Sequence, residues 1–380
     1  MITALAGAAT LVVWLYLLVA HGRFWWAAEC DDGLAPPPAA WPDVAVIVPA
    51  RDEADVIAES IGSLAAQDYP GRLRIILVDD GSGDGTGRIA RDMADRLGSD
   101  RLTVIEATSP PRGWTGKLWA LAQGSERAGA QADYLWFTDA DIVHAPDTAR
   151  SLVARSLADD LVLNSLMADL RCTSFAERAL IPAFIFFFQM LYPFARVNRP
   201  TSPVAGAAGG CVLLRRDAFE RAGGVAAIAD AIIDDCALGL LMKRQGPIRL
   251  SLTRRSRSIR PYGGWRPIGA MIARSAYAQL RYSPLLLAGT LAGMALVYIA
   301  PPLLAIFASG AARIAGLSAW AMMAIAFQPT LRFYRRSPLW GLALPAIAIF
   351  YVGATFRSAL DHWQGRGGMW KGRLQAQLRP

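Results

Sequence analysis

Cysteine and histidine are scarce in this sequence, which has four cysteines and three histidines among 380 residues. No two cysteines are separated by two residues, and no histidine pair has the spacing of a HExxH protease motif. The chain is therefore not expected to form a zinc finger, an iron–sulfur cluster or a zinc protease site.

Charged residues are also few. They make up 18% of the chain and hydrophobic residues 54%, whereas a typical soluble domain has about 25% charged residues. This deficit indicates contact with lipid. The 39 basic and 31 acidic residues give a net charge of +8, which favours phosphates, anionic lipid or nucleic acid as partners. The high apolar content favours a membrane over nucleic acid.

Residues 1–22 are predicted to form an N-terminal transmembrane anchor with its N-terminus outside. Residues 3–20 carry no charge and are just long enough to cross the hydrocarbon of a bilayer. Arg23, Trp25 and Trp26 follow and supply a positive charge and aromatic rings for the inner interface. A cleavable signal peptide is the alternative, but no basic segment precedes the apolar run and no small-residue cleavage site follows it.

The C-terminal part is predicted to be a helical membrane domain. The ranges 285–308, 314–327 and 339–356 are almost uncharged. Residues 284–380 are therefore assigned to transmembrane helices and a basic tail, and residues 267–283 to an interfacial segment.

The number of crossings stays open at this stage. Four crossings with the N-terminus outside place the C-terminus outside, yet the tail carries positive charges that favour the inside. These charges are Arg357, Arg366, Lys371, Arg373 and Arg379, with Asp361 as the opposing charge. A re-entrant or interfacial segment would reconcile the two.

A further apolar stretch, residues 179–194, lies inside the otherwise soluble region. It has sixteen residues, contains Pro182 and Pro193, and is short for a membrane span. A buried helix, a membrane-surface helix and part of a channel for an apolar acceptor are all open. Its clustered aromatic residues favour a membrane-facing role.

Residues 40–266 are predicted to form an α/β domain with a mostly parallel sheet. The run at 44–48 is continuously apolar, as expected of a strand buried on both faces. A helical pattern follows, and further strand patterns occur at 73–78, 102–105 and 134–138. This alternation places ligands at the carboxyl ends of the strands.

Acidic residues follow two of these strands. Asp79 and Asp80 begin a glycine-rich loop that fails the dinucleotide fingerprint, because Thr86 stands where the last glycine is required. Carboxylates at this position suit a neutral ligand such as a uracil ring or ribose hydroxyls, and a plain turn is the alternative. Asp139 and Asp141 can converge on one hard cation, Mg²⁺ or Mn²⁺, unless they form a solvated turn.

A second acidic pair, Asp234 and Asp235, stands at the start of an apolar helical stretch. One aspartate can cap the helix, which leaves the other free to act as a base. Lys117 is available to meet a phosphate, although a surface lysine is the alternative. We also place Asp234 on the acceptor side, together with the small residues Gly209, Gly210 and Cys211.

A basic run follows this pair and consists of Arg254, Arg255, Arg257, Arg260 and Arg266. A solvated face, attraction to an anionic inner leaflet and nucleic-acid binding are the three interpretations. No recognised nucleic-acid module surrounds the run, so no nucleic-acid partner is predicted.

Four short sequences resemble, in order and spacing, the motifs of the inverting family 2 glycosyltransferases of the GT-A fold. They are VPARDE at 48–53, VDDGS at 78–82, DAD at 139–141 and DDCALG at 234–239. More closely, the chain resembles bacterial hopanoid-biosynthesis-associated glycosyltransferases, which are related to ceramide glucosyltransferases. That second resemblance is carried by residues 113–122, 180–189, 232–238 and 279–285.

The resemblance implies a role for each motif. Nucleotide-sugar binding falls to Arg51, Glu53, Asp79, Asp80, Lys117, Asp139 and Arg281, and metal binding to Asp139 and Asp141. Asp235 is then the base that deprotonates the acceptor hydroxyl. Arg281 lies where membrane members carry [QR]xxRW, but here alanine and tyrosine replace the outer residues, which weakens the case for a processive polysaccharide synthase.

These observations predict a membrane-bound glycosyltransferase, multi-pass in the bacterial inner membrane, with a cytoplasmic catalytic domain. It would move a sugar from a nucleotide-diphosphate donor, expected to be a UDP-sugar, to the hydroxyl of a hopanoid-related lipid. Two alternatives are a polyprenyl-phosphate sugar transferase and a non-catalytic membrane scaffold that has kept a nucleotide-sugar fold.

Overall fold

A computed structural model describes residues 2–33, 35–97, 101–366, 369–370 and 373–374. The chain divides into two compact units. The α/β unit contains the described residues of 29–171 and 196–260, together with 369–370 and 373–374. The helical unit contains residues 2–28, 172–195 and 261–366.

The regular elements are numbered along the chain. The α-helices are α1 Ile2–Val19, α2 Ile57–Ala65, α3 Thr86–Leu97, α4 Gly116–Ala128, α5 Thr148–Ala158, α6 Phe175–Leu191, α7 Phe194–Val197, α8 Arg216–Arg221, α9 Asp234–Lys243, α10 Trp265–Gln279, α11 Pro284–Met294, α12 Ala300–Phe307, α13 Gly310–Phe333 and α14 Leu344–Trp363. The strands are β1 Val44–Ala50, β2 Leu73–Asp79, β3 Leu102–Glu106, β4 Tyr134–Phe137, β5 Ile142–His144, β6 Leu163–Asp169, β7 Val212–Arg215, β8 Ile248–Ser258, β9 Met369–Trp370 and β10 Arg373–Leu374. Short 3₁₀ turns occupy Phe24–Trp26, Gly224–Ile228 and Pro338–Gly341, and a π-helical turn occupies Ala295–Ile299.

The α/β unit is built on a sheet with the strand order β3-β2-β1-β4-β7-β6-β8-β5. Strands β3, β2, β1 and β4 are mutually parallel, as the alternating pattern predicted. Strand β7 runs antiparallel to β4 and β6, and β5 runs antiparallel to β8, so the second half of the sheet is mixed. The parallel half brings the carboxyl ends of β1, β2 and β4 to one edge, and the acidic loops lie there.

The sheet core follows from the sequence pattern. Every residue of β1 is buried, and α2 buries an apolar face through Ile57, Ile61 and Leu64. Helix α4 approaches β1 closely because it has glycine at position 124. A Cβ at Gly124 would stand 2.4 Å from Ile47 Cγ2. This close approach fixes α4, which carries Lys117, against the strand.

Small residues allow the helices of the helical unit to approach closely. A Cβ at Gly7 of α1 would lie 3.1 Å from Ala315 Cβ of α13. One at Gly316 of α13 would lie 2.7 Å from Leu304 Cβ of α12. Contacts of this type are a usual basis of helix packing in membranes.

The π-helical turn Ala295–Ile299 precedes two prolines. The carbonyl of Val297 would accept from residue 301 in an α-helix and from residue 302 in a π-helix, but both are prolines without an N–H. Trp14 of α1 replaces the missing donor, since its indole Nε1 donates to the Val297 oxygen at 2.9 Å. The carbonyl of Val297 is therefore hydrogen-bonded despite the two prolines.

The start of α6 is fixed by a capping box formed by Ser174 and Glu177. Glu177 also accepts from the backbone N–H of Tyr262 at 2.9 Å, and it is 1% exposed. The helix contains Pro182 and is 17 residues long. Residues 172–195, which fall inside the range predicted for the catalytic domain, thus belong to the helical unit.

Among the described residues, four helices are long and apolar enough to cross a membrane: Ile2–Val19, Phe175–Val197, Pro284–Phe307 and Gly310–Phe333. The first, third and fourth match predicted spans. The predicted span at 339–356 instead begins in a 3₁₀ turn and continues into α14, which is not among the four. In the basic tail, Lys371 and Arg379 lie outside the described residues.

Candidate active site

The loops that follow β1 and β2 are hydrogen-bonded to each other. The backbone N–H of Asp52 donates to Ser82 Oγ at 3.1 Å, and that of Gly83 donates to Asp52 Oδ1 at 2.9 Å. The N–H of Glu53 donates to Thr86 Oγ1 at 2.7 Å. These bonds hold two sequence motifs, 30 residues or more apart, in a single arrangement.

The predicted nucleotide-binding residues lie within these loops. Asp79 is 7% exposed and accepts from both the N–H and the hydroxyl of Ser82 at 3.0 and 2.5 Å. A Cβ at Gly87 would lie 2.1 Å from Asp79 Oδ2, so glycine is needed beside this carboxylate. Arg51 Nη1 donates to the backbone oxygen of Asp80 and lies 3.5 Å from its carboxylate. The structure thus brings Arg51, Asp79 and Asp80 together.

Lys117 joins the two acidic pairs that the sequence singled out. It lies in the first turn of α4, which Thr115 caps. Its Nζ is 2.9 Å from Asp139 Oδ1 and 3.0 Å from Asp234 Oδ2. Burial by itself would lower the pKa of Lys117, but Asp139 and Asp234 raise it above its usual value, so the side chain is a cation. Burial raises the pKa of Asp139, and the charge of Lys117 opposes that effect.

Asp235 is held in the first turn of α9 by backbone donors. Its Oδ2 accepts from the N–H of Gly209 at 3.1 Å, and its Oδ1 accepts from the N–H of Cys236 at 2.8 Å. Burial, with the charge of Asp234 next to it, raises the pKa of Asp235 to about 6. A carboxylate with this pKa is a stronger base than an ordinary aspartate and is still ionised at pH 7.

The other predicted acceptor-side residues are placed differently. A Cβ at Gly209 would lie 3.3 Å from Lys117 Nζ, so this glycine directly adjoins the charged cluster. The carbonyl of Gly210 accepts from Thr138 Oγ1 at 2.9 Å. Cys211 is fully buried in the core of the sheet, where burial raises the pKa of its thiol to about 12. Gly209 alone of these three lines the cavity beside the carboxylates.

That cavity explains why the carboxylates are strongly affected by burial. Its charged lining residues are Lys117, Asp139, Asp234 and Asp235, and its apolar lining includes Leu121, Val225 and Leu238. An apolar wall lowers the local dielectric constant and strengthens the interactions among the charges.

Arg260 is a site residue that the sequence interpretation missed. Its Nη2 contacts both carboxylate oxygens of Glu53, at 2.5 and 2.6 Å, and its Nε contacts Asp141 Oδ2 at 3.1 Å. Ser258 Oγ donates to the same Asp141 oxygen at 3.0 Å. A solvated face was one of three interpretations of this basic run, but Arg260 stands two residues after the end of β8, at the carboxyl end of a strand, where ligand-binding residues are expected.

Arg281 belongs to the helical unit. It follows α10 in the helical unit and has a left-handed backbone conformation, with φ of 52°. All the other predicted site residues belong to the α/β unit.

Asp139 and Asp141 form a donor set that fits a divalent cation carried by a diphosphate. Among the described residues, no group of three or more His, Cys, Asp or Glu side chains is gathered to hold a metal ion. Each aspartate has one oxygen against a cation, Lys117 or Arg260, and its other oxygen is the hard donor that Mg²⁺ and Mn²⁺ prefer. Such ions are usually held by one or two carboxylates together with substrate phosphates and water.

Residues 45–223 match the model of the family described as Glycosyl transferase family 2. The match supports the predicted family 2 glycosyltransferase. The segment holds Arg51, Asp80, Lys117 and Asp139, whereas Asp235 and Arg260 lie beyond its end.

Two curated relatives and one solved structure are similar to this chain. The chain is 48% identical over 127 residues to an N-acetylglucosaminyltransferase from Bradyrhizobium elkanii, covering 32% of this chain and 63% of that protein. It is 34% identical over 101 residues to a probable glycosyltransferase from Bacillus subtilis, covering 26% and 23% respectively. A mannosyltransferase from Pyrobaculum calidifontis, solved with GDP-Man and Mn²⁺, has a TM-score of 0.58 at 20% identity, with 94% of this chain and 99% of that chain covered.

The likeness to the mannosyltransferase shows the fold, and the predicted GT-A fold is confirmed in this way. The chain spans less than two thirds of the length of each curated relative described above, 23% in one and 63% in the other.

Proposed function

We propose that this protein is a membrane-bound inverting glycosyltransferase that moves a sugar from a nucleotide-diphosphate donor, a UDP-sugar, to a lipid hydroxyl. The observation that carries the proposal is the Lys117 bridge between Asp139 and Asp234, with the backbone-held carboxylate of Asp235 next to it. In this proposal, Lys117 is the cation for a leaving diphosphate and Asp235 is the base for an acceptor hydroxyl.

Each group has a defined task in this proposal. Asp235 takes the proton of the acceptor hydroxyl, and the N–H groups of Gly209 and Cys236 keep its carboxylate oriented. The hydroxyl oxygen attacks the anomeric carbon from the face opposite the diphosphate, so the configuration inverts. Lys117 compensates the negative charge that develops on the diphosphate.

The donor is held on the side of the two linked loops. Arg51, Asp79, Asp80 and Glu53 line the end of β1 and β2, where a base and ribose would find hydrogen-bond partners. Asp139 and Asp141 would hold a Mg²⁺ or Mn²⁺ ion, which stabilises the charge of the leaving diphosphate when bound. Arg281 is proposed to meet the diphosphate as well.

The helical unit supports a lipid as the acceptor. Within the part of the chain that the structure describes, four helices are long and apolar enough to cross a membrane, which suits an enzyme whose acceptor lies in a bilayer. We propose the cytoplasmic face of the bacterial inner membrane as the site of reaction and a hopanoid-related lipid as the acceptor. The latter rests on the sequence resemblance at residues 113–122, 180–189, 232–238 and 279–285.

The decisive experiment measures nucleotide release by detergent-purified full-length protein. UDP-glucose, UDP-N-acetylglucosamine and GDP-mannose are each offered with Mn²⁺ or Mg²⁺, with and without bacterial lipid extract or a purified hopanoid. UDP release that needs both metal and lipid is expected, with a lipid product of inverted anomeric configuration.

Two variants test the assignment of the base. Asp235→Asn is expected to lower turnover by about 10²–10⁴-fold while UDP binding persists, and Asp217→Asn, at an exposed carboxylate on α8, is the control. Full activity of Asp235→Asn would point to a phosphate acceptor such as a polyprenyl phosphate, which needs no base. Absence of release with every donor, although UDP binds, would favour the scaffold alternative.

A further inference from the structure

Arg260 connects two parts of the active site that the proposed function assigns to different ligands. Glu53 belongs to the nucleoside side, and Asp141 belongs to the pair that would hold the metal ion. The guanidinium contacts both, at 2.5–2.6 Å and 3.1 Å. A planar guanidinium with several fixed donors is suited to this kind of double contact.

The surroundings keep Arg260 charged and in place. Burial alone would lower its pKa, but Asp141 and Glu53 raise the pKa of Arg260 above its usual value. Its side chain is 32% exposed, whereas those of Glu53 and Asp141 are 8% and 15% exposed. The cation therefore covers two largely buried carboxylates, and neither of them faces water as an isolated charge.

We propose that Arg260 is a positioning residue that holds Asp141 in the donor-free enzyme and makes divalent-cation binding depend on the nucleotide diphosphate. This inference rests on the proposed function. With Arg260 on Asp141 and Lys117 on Asp139, both carboxylates of the pair already have a cation. A divalent cation that binds without nucleotide has to displace the positive side chains of Arg260 and Lys117 or bind close to them, and the repulsion between like charges opposes its binding.

A diphosphate changes this balance. Its oxygens are acceptors for guanidinium and ammonium donors, so they offer both cations another partner and supply the remaining ligands of the metal. Metal and nucleotide then bind with positive coupling, and the coupling is reciprocal by thermodynamic necessity. In this proposal Arg260 neutralises Asp141 when no nucleotide is bound, and it binds the diphosphate when the nucleotide is present.

The test measures binding of Mn²⁺ alone to detergent-purified full-length protein, from the signal of free Mn²⁺ in electron paramagnetic resonance. It is then repeated with saturating UDP and, separately, with GDP. The variants are Arg260→Gln, Arg260→Lys and the control Arg257→Gln. Arg257 is an exposed residue of β8, three positions before Arg260, so its replacement removes the same charge at a nearby position.

Arg260→Gln is expected to bind Mn²⁺ alone about tenfold more tightly than the wild type. The factor by which UDP increases the affinity for Mn²⁺ is expected to be correspondingly smaller in this variant. Arg260→Lys keeps the charge and stays close to the wild type, as does Arg257→Gln. A residue that merely supported the fold would give weaker binding of Mn²⁺ when replaced, not tighter binding.

Three results would overturn the inference. One is an unchanged affinity of Arg260→Gln for Mn²⁺ alone, while Mn²⁺ and UDP still bind together; the proposed function then survives. The second is an Arg260→Lys variant that binds Mn²⁺ alone as tightly as Arg260→Gln. The third needs no variant: wild-type protein that binds Mn²⁺ equally well with and without UDP shows no coupling. Wild-type protein that binds neither Mn²⁺ nor either nucleotide would overturn the proposed function, and this inference with it.

Discussion

Asp235 illustrates how neighbours set the strength of a base. Burial and the charge of Asp234 raise its pKa, while Lys117 and two backbone N–H groups act in the opposite direction. The result, a pKa of about 6, lies far closer to neutrality than that of an exposed aspartate. In the proposed mechanism Asp235 accepts the acceptor proton, and a protonated carboxyl group is far too weak a base to do so, so the reaction requires the ionised form.

Turnover is therefore expected to fall as the pH decreases through about 6. Asp234→Asn removes the like charge that raises the pKa of Asp235, and it releases Lys117 from one of its two carboxylate partners. Both changes favour ionised Asp235, so the acidic limb of the profile moves to lower pH.

The measurement is the pH dependence of turnover at saturating donor and acceptor, for the wild type, Asp234→Asn and the control Asp217→Asn. The quantity compared is the pH at which turnover falls to half on the acidic side of the profile. This pH does not depend on any overall loss of rate. A limb that stays in place or moves to higher pH in Asp234→Asn would contradict the assignment of Asp235 as the titrating base.

Sequence reasoning found much of the charged cluster but not Arg260. Asp139, Asp234 and Lys117 were singled out separately, and the structure joins them through ion pairs. Arg260 meets Asp141 because β5 and β8 pair with Ile142 opposite Ser258. That pairing joins residues more than 100 positions apart, and no local pattern in a strand rich in arginine and serine predicts its partner.

At the scale of whole elements, the parallel half of the sheet was predictable and the mixed half was not. Strands β1, β2 and β3 begin where their apolar runs begin, and each extends one or two residues beyond the predicted end. The short strands β5 and β7 have three and four residues, too few for a period to be recognised. Their positions depend on the tertiary pairing.

The indole of Trp14 is expected to contribute to the stability of the helical unit. Trp14→Phe keeps an aromatic ring but removes the donor for Val297, whose carbonyl has no helical partner because residues 301 and 302 are prolines. An unsatisfied carbonyl in an apolar environment is costly, so the variant is expected to lose about 1 kcal/mol of unfolding free energy.

The free energy of unfolding of each variant is measured by titrating the purified protein with a denaturing detergent. Trp26→Phe is the matched control, since that ring is 46% exposed. Equal stability of the Trp14→Phe and Trp26→Phe proteins would show that the hydrogen bond of the Trp14 indole does not stabilise the helical unit.

At the scale of the whole molecule, the chain connectivity of α6 restricts how it can meet a bilayer. The segments on either side of residues 172–195 both belong to the α/β unit, which is a single compact unit. A crossing by α6 would put parts of that unit on opposite sides of the membrane. We therefore expect α6 not to cross, although its length and composition would permit it.

This leaves three crossings among the described helices, namely α1, Pro284–Phe307 and Gly310–Phe333. With the N-terminus outside, three crossings place the C-terminus inside, together with Arg357 and Arg366. The charge distribution then follows the positive-inside rule. The conflict between the crossing count and the basic tail, which the sequence left open, disappears.

Cysteine labelling tests this topology. In a background without the four native cysteines, the single substitutions Arg171→Cys, Arg199→Cys and Arg366→Cys are exposed to a membrane-impermeant maleimide in oriented vesicles. All three are expected to react from the cytoplasmic side, whereas Ile2→Cys reacts from the other side. Labelling of Arg171→Cys and Arg199→Cys from opposite sides would show that α6 crosses.

The ion pair between Asp141 and Arg260 also has a consequence for biosynthesis. Arg260 follows Asp141 by 119 residues, and a ribosome adding about 5–20 residues per second needs on the order of ten seconds to cover that distance. During this interval Asp141 and Glu53 have emerged without their guanidinium partner. The proposed active site is therefore completed late, after residues 45–223 have been synthesised and before helices α11, α12 and α13 emerge.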